Sequence, residues 1–309
     1  MSLATISRIG ACILFASALT HAYAKSSTLE YIYPSETDPN IKQHNDANVV
    51  LRPKNMDGAP LMVFLPGTDG KPENAKLLLS VAAEQGYRAI GLEYNDTPAV
   101  IQICPKNPDP DCSANFREMR TWGTGPGAPR VSNPANESIE GRLVSLLKLL
   151  AKKYPNEKWD AYLTPDNKPV WSKIAVTGLS QGAGMAALIA KKYLVYRVIL
   201  FSCPIDYIGA PETILNSNTI QLAPWINNSS VTPPDQWYAE RNSREPFNPG
   251  LSKAYPLLGI PADHIRVNDL GLPPGVVSIS SPMFFHTANI MDERYSSEWR
   301  FFFGKVPTN

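Results

Sequence analysis

Short apolar runs recur along the chain between segments rich in proline, glycine and polar residues. Asn48 to Leu51 (NVVL), Leu61 to Leu65 (LMVFL), Tyr87 to Glu93 (YRAIGLE), Lys173 to Thr177 (KIAVT) and Arg197 to Ser202 (RVILFS) read as strands. Trp237 to Arg241 (WYAER) is a further candidate, and Val276 to Ser280 (VVSIS) reads as the last strand. Apolar residues three and four apart predict helices over Pro72 to Gln85, Glu137 to Tyr154 and Gly184 to Tyr193, with shorter ones over Leu251 to Leu258 and Ser297 to Phe303. Strands alternating with helices predict an α/β domain built on a largely parallel sheet.

Two stretches break the alternation. Residues from about Asn95 to Pro134 look irregular, and a loop that long in a compact domain usually has a function. The segment from Pro204 to Asp235 is long and interrupted by proline, and is expected to form a small cap insertion with Trp225 lining an acyl pocket. The chain's 29 prolines fall mostly between the apolar runs, so the connections are stiff.

The 309 residues suffice for one large domain. With 43% hydrophobic and 18% charged residues the composition is globular. A net charge of +1 and the lack of a Lys/Arg run argue against a nucleic-acid partner. Oligomeric state is not legible.

The first residues have the marks of a secretory leader. Arg8 precedes the apolar run Ile9 to Leu19, and Ala22-Tyr23-Ala24 forms a small-x-small cleavage site. Residues 1–24 are expected to be removed after Ala24, leaving 25–309 as a single secreted or periplasmic domain. The apolar run is too short to cross a bilayer, which takes about 20 residues. Of four cysteines, Cys12 lies in this leader. Cys104 and Cys112 are close together and, in an oxidising compartment, are expected to form a disulfide. Cys203 is left as a buried thiol, and no His or Cys cluster suggests a metal.

The chemistry concentrates at Gly178-Leu179-Ser180-Gln181-Gly182, between the strand KIAVT and the helix GMAALIAKKY. A serine hydroxyl is a weak nucleophile and must project from a sharp turn, which small neighbours such as Gly178 and Gly182 permit. It needs a base. His21 is in the leader, His44 comes too early for a serine–acid–histidine order, and His264 lies ahead of VVSIS. His286 follows that strand and is the choice, on the loop expected after it. The acid that orients the histidine is expected after WYAER, which selects Glu245. Asp206, in SCPIDY, is the alternative, followed by Asp263, Asp269 and Asp235. The oxyanion hole calls for two backbone amides, assigned to Gln181 and to Thr68 in the turn PGTDG.

The stretch from ESIEGRLVSLLKLLAKKYP through KIAVTGLSQGAGMAALIAKKY to RVILFSCPIDY resembles a family of secreted, mostly bacterial α/β-hydrolases without a settled substrate. YNDTPAVIQIC, LSKAYPLLGIP and FHTANIMD resemble further parts of it, so the similarity spans nearly all of the mature chain. The resemblance implies an α/β-hydrolase fold, a triad with Ser180 and His286, Glu245 as the favoured acid, and pairing of Cys104 with Cys112. The function expected is a serine carboxylic ester hydrolase needing no metal or organic cofactor, acting on a small or polymer-linked ester. Amidase, peptidase or acyltransferase activity on the same triad is the nearest alternative, and a non-catalytic binding module is the alternative from another class.

Overall fold

The computed structural model describes residues 27–53, 58–277 and 282–307. The expected leader at 1–24 and its cleavage site lie outside the described residues. Among those described, no helix is long and apolar enough to cross a membrane.

Among the described residues, eight strands form one sheet: β1 (Ser27–Ile32), β2 (Asn48–Pro53), β3 (Leu61–Leu65), β4 (Arg88–Gly91), β5 (Ile174–Leu179), β6 (Arg197–Phe201), β7 (Trp237–Asn242) and β8 (Ile265–Asn268). Their spatial order is β1-β2-β4-β3-β5-β6-β7-β8. β2 runs antiparallel to both of its neighbours, and every pairing from β4 to β8 is parallel. With a sharp strand-to-helix turn after β5, this is the α/β-hydrolase fold.

The helices that position the site are α1 (Lys76–Glu84), α2 (Cys112–Trp122), α3 (Ile139–Lys153), α4 (Gln181–Lys192), α5 (Asn248–Leu257), α6 (Met283–Met291) and α7 (Ser296–Phe303). Successive side chains of a strand point to opposite faces, so β3 feeds two cores. Leu61, Val63 and Leu65 join the core beneath α2, α3, α4 and α5, while Met62 and Phe64 join the one beneath α1, α6 and α7. β3 and β5 are buried along their whole length, as expected of strands covered on both faces. α3 shows how locally a helix can be specified. The Ser138 hydroxyl accepts from Gly141 N at 3.0 Å at one end, and Lys152 and Lys153 close the other.

The structure departs from the expected elements in four places. An initial strand, β1, precedes the first one expected. The stretch expected to be irregular contains α2, hidden because its buried face carries Arg117 and Arg120 instead of aliphatic residues. Among the described residues the last strand is β8, directly after His264. Val276 and Val277 lie outside any strand, and Ser278 to Ser280 fall outside the described residues. His286 therefore lies on helix α6 and not on a loop closing VVSIS. Within 204–235 the chain forms a ribbon of two-residue strands, Tyr207–Ile208 with Gln221–Leu222, and three short 3₁₀ turns.

Candidate active site

Ser180 sits between β5 and α4 with φ 52° and ψ −121°. That left-handed conformation strains a non-glycine residue, and the surroundings must impose it. They do so through close packing. A Cβ on Gly178 would lie 2.5 Å from the Gly182 carbonyl carbon, and one on Gly182 would lie 2.1 Å from the Leu65 carbonyl oxygen. No side chain fits at either position. The Ser180 amide donates to the Phe201 carbonyl at 2.9 Å, which ties the turn to β6.

The turn after β3 lies against this one. A Cβ on Gly67 would be 3.0 Å from Ser180 Cβ, so Gly67 and Thr68 pass beside the serine. The Tyr94 hydroxyl donates to the Pro66 carbonyl at 2.9 Å, and Gly70 N donates to Asp96 Oδ2 at 3.2 Å. Both anchors come from YND after β4, and neither was read from the sequence as part of the site. Asp96 is pushed up to about 6, first by burial and then by the neighbouring Asp69. The Gln181 side chain reaches away from the serine. It accepts from Val100 N at 2.8 Å and donates to the Asp96 carbonyl, holding the chain that follows Asn95.

On the other side of Ser180, His286 Nδ1 and Glu245 Oε2 are 2.7 Å apart, and both residues are buried. The carboxylate accepts from that nitrogen, which fixes the proton on Nδ1. Glu245 Oε1 accepts from the Ser202 hydroxyl and from Asn242 N, each at 3.0 Å. The Phe247 ring meets the imidazole edge-on, 5.1 Å between centroids. Among the described residues, His286 Nε2 is buried without a hydrogen-bond partner. Ser180 and His286 line the same cavity.

Asp206, the alternative acid, is engaged elsewhere. Arg117, completely buried, donates from Nε to Oδ2 at 2.7 Å and from Nη2 to Oδ1 at 2.5 Å. Trp225 Nε1 donates to Oδ2 at 2.9 Å. Arg117 Nη1 also donates to the Gln181 carbonyl at 3.0 Å, and Gly184 leaves room for the guanidinium, since a Cβ there would lie 2.2 Å from Arg117 Cζ. Trp225 is buried behind Asp206 and does not line the cavity, which corrects its expected place in an acyl pocket. Asp263, Asp269 and Asp235 do not line the cavity either. His264 is committed to the Trp237 carbonyl and stacked on Tyr238.

The cavity holds about 400 Å³. Val100, Leu179, Cys203, Ile205, Phe247 and Ile290 give it apolar walls, and Thr68, Asp69 and Lys71 form a polar edge. Cys203 is inert: burial pushes its thiol up to about 12. Cys104 and Cys112 are disulfide-bonded, eight residues apart, joining the end of the short helix Val100–Ile103 to the start of α2.

No protein-family model matches the chain, and no curated protein matches it in sequence. Among solved structures it is similar to a bacterial heroin esterase at 16% identity, with a TM-score of 0.48, covering 94% of this chain and 90% of that one. It is also similar to esterase B from Lactobacillus rhamnosis at 12% identity (TM-score 0.47, covering 93% and 92%). A third is an esterase from Pyrobaculum calidifontis at 15% identity (TM-score 0.43, covering 93% and 89%). These likenesses are distant, and the fold assignment rests on strand order and direction.

Proposed function

We propose that this protein is a serine carboxylic ester hydrolase that works through an acyl-enzyme. One observation carries the reading: the wall of a single apolar cavity holds Ser180, on a strained turn, and His286, whose Nδ1 is held by a buried carboxylate and whose Nε2 has no other partner among the described residues. Nε2 takes the Ser180 proton as the hydroxyl attacks the ester carbonyl carbon. Glu245 holds the imidazole in the tautomer that can accept it and stabilises the imidazolium that results. The carbonyl oxygen becomes an oxyanion held by the amides of Gln181 and Thr68. The C–O bond then breaks, the imidazolium protonates the leaving alcohol, and water releases the acyl group by the same steps.

The cavity also limits the substrate. Its walls are mainly apolar, and its buried carboxylate, Asp206, is neutralised by Arg117. Lys71 lies at the polar edge and is paired with Asp46, so a charged acyl group would lose its hydration against the apolar walls without a free counter-ion, and the favoured substrate has an uncharged, apolar acyl part. The segment at 204–235 acts as a cap, with Ile205 and Asp206 on the cavity and Trp225 bracing them from behind. The leader at 1–24 and the disulfide fit an exported protein.

Reaction with a fluorophosphonate probe tests the mechanism. The intact protein should be labelled, and Ser180→Ala should not. Absence of labelling, or equal labelling of Ser180→Ala, would overturn the proposal and favour a binding module. Among p-nitrophenyl esters, butyrate should be cleaved at least about tenfold faster than the hemisuccinate, a difference of roughly 1.4 kcal/mol in transition-state binding.

A further inference from the structure

Glu245 does not stand alone behind His286. The Ser202 hydroxyl that donates to Glu245 Oε1 at 3.0 Å accepts in turn from Asn289 Nδ2 at 2.8 Å. Asn289 lies three residues after His286 on α6, so the two share a face of that helix. The helix is thus joined to the same carboxylate twice, directly through His286 and indirectly through Asn289 and Ser202. Ser202, Asn289, Glu245 and His286 are all buried, and Ser202 holds φ 55° directly after β6. Maintaining a non-glycine residue in that region is unfavourable, and here it delivers the hydroxyl to the carboxylate. The Ser202 amide donates to the Glu240 carbonyl at 3.0 Å, which fixes the turn to β7, the strand that leads to Glu245.

We propose that Ser202 and Asn289 are positioning residues: Asn289 aims the Ser202 hydroxyl, and that hydroxyl keeps Glu245 turned so that Oε2 stays on His286 Nδ1. The assignment rests on the ester-hydrolase reading above. A carboxylate rotates about its last bond, and what stops it is a donor on the oxygen facing away from the histidine. Ser202 and Asn242 N supply two. Asn242 N belongs to the backbone, so Ser202 is the donor that a side-chain truncation can remove.

The charge environment is simple enough to predict a direction. Glu240, Arg241 and Tyr255 interact with Glu245, and Asp69, Lys71, Cys203 and Asp206 line the cavity with His286. Complete burial holds Glu240 well above the ordinary carboxyl range and Tyr255 well above the ordinary phenol range, which favours the neutral form of each. Arg241 is cationic, and Asp206 is paired with Arg117. Removing the Ser202 donor leaves the Glu245 charge less satisfied and more strongly drawn to the imidazolium. The protonated form of His286 is then favoured, and the acid limb of the rate profile moves to higher pH.

The test is kcat/KM against pH for p-nitrophenyl butyrate in wild type, Ser202→Ala, Asn289→Leu and the double variant. Ser202→Ala should lower kcat about tenfold with KM unchanged, matching the weaker end of hydrogen bonds to charged groups. Its acid limb should move to higher pH. Because the two residues act through one hydroxyl, the double variant should lose little more than Ser202→Ala alone. Activity within twofold of wild type, an unmoved limb, or fully multiplicative losses would overturn the assignment. Ser202→Ala removes a single atom, so the test survives even if Asn289→Leu does not fold. Fluorophosphonate labelling separates the two levels: an unlabelled wild type sinks the hydrolase reading, while a labelled wild type with an unaltered Ser202→Ala sinks only this inference.

Discussion

Glu245 and Asp206 are buried carboxylates on connections that leave neighbouring strands of one sheet, and they flank the same turn at Ser180. Asp206 reaches the cavity wall and Glu245 does not. Distance to the cavity would therefore pick Asp206 as the acid. In the proposed mechanism the partners favour Glu245 instead. Asp206 has both oxygens on Arg117 and one also on Trp225, so its charge is cancelled where it stands. Glu245 has neutral donors on Oε1 and leaves Oε2 to an imidazole. A carboxylate locked to a guanidinium can brace a fold but has no free charge for a passing imidazolium. One held by neutral donors keeps its charge available.

The sharpest way to break this comparison is to neutralise each carboxylate. Glu245→Gln should lower kcat about 10⁴-fold, because an amide no longer fixes the useful tautomer of His286. Asp206→Asn, assayed on the folded fraction, should change kcat by less than about tenfold. Steady-state kinetics alongside active-site titration with a fluorophosphonate checks both. Equal losses would show that the two acids share the catalytic role.

Stability should show the reverse order. Arg117→Met leaves Asp206 charged and unpaired in the interior, which should cost about 3–5 kcal/mol in urea denaturation. Arg117→Met with Asp206→Leu should recover most of that loss, because an apolar pair of similar volume often replaces a buried ion pair without penalty. If the double variant is no more stable than Arg117→Met, the damage lies in the lost bond to the Gln181 carbonyl and not in the orphaned charge.

These two regions also mark what could be read from sequence. The turn at Ser180 was legible because its requirements are local: a strand, two glycines and a helix in contiguous residues. His286 was reached by elimination among few histidines and was expected on a loop; it sits on a helix, and the last strand among the described residues is Ile265–Asn268. Glu245 could be placed after β7, but its preference over Asp206 depends on bonds that span 89 residues from Arg117 and 41 from His286. Ser202 and Asn289, 87 residues apart, leave no local signal at all. Helix α2 was missed for the same reason. Arg117 and Arg120 mimic a solvated face until Asp206 and the carbonyls of Asn95 and Thr97 are brought against them.

A third buried carboxylate extends the comparison. Glu93 Oε2 has no partner among the described residues, and Arg142 donates to the Glu93 carbonyl, not to its carboxylate. Burial, and then repulsion from Asp96, raises Glu93 from 4.5 to about 8. Between those values the folded protein keeps a proton that the unfolded chain has released. Stability from this group is therefore present below about pH 4.5, falls as pH rises, and is lost above about pH 8. Glu93→Gln removes the dependence. It should leave the urea midpoint unchanged near pH 4 and raise stability at pH 8 by an amount of order 3 kcal/mol. A variant no more stable than wild type at pH 8 would mean that Glu93 finds a counter-ion as it ionises, which would put it in the same class as Asp206.

The disulfide offers the mildest test, and it asks what holds the Asp206 side together. Cys104–Cys112 closes a loop with a sequence separation of eight, and the chain-entropy estimate for such a loop is about 2.5 kcal/mol. It borders Val100–Ile103, whose residues line the cavity, so one view is that the covalent link shapes the site. The hydrogen bonds argue otherwise. Arg120 donates to the carbonyls of Asn95 and Thr97, and the Gln181 side chain holds Val100 N and the Asp96 carbonyl. That wall is fastened from α2 and from the Ser180 turn without the sulfurs. Cys104→Ser with Cys112→Ser should therefore lower stability by about 2.5 kcal/mol while kcat/KM stays within about threefold, as seen by urea denaturation and ester hydrolysis on one preparation. A loss of activity larger than the loss of stability explains would transfer the positioning of that wall from the buried arginine to the disulfide.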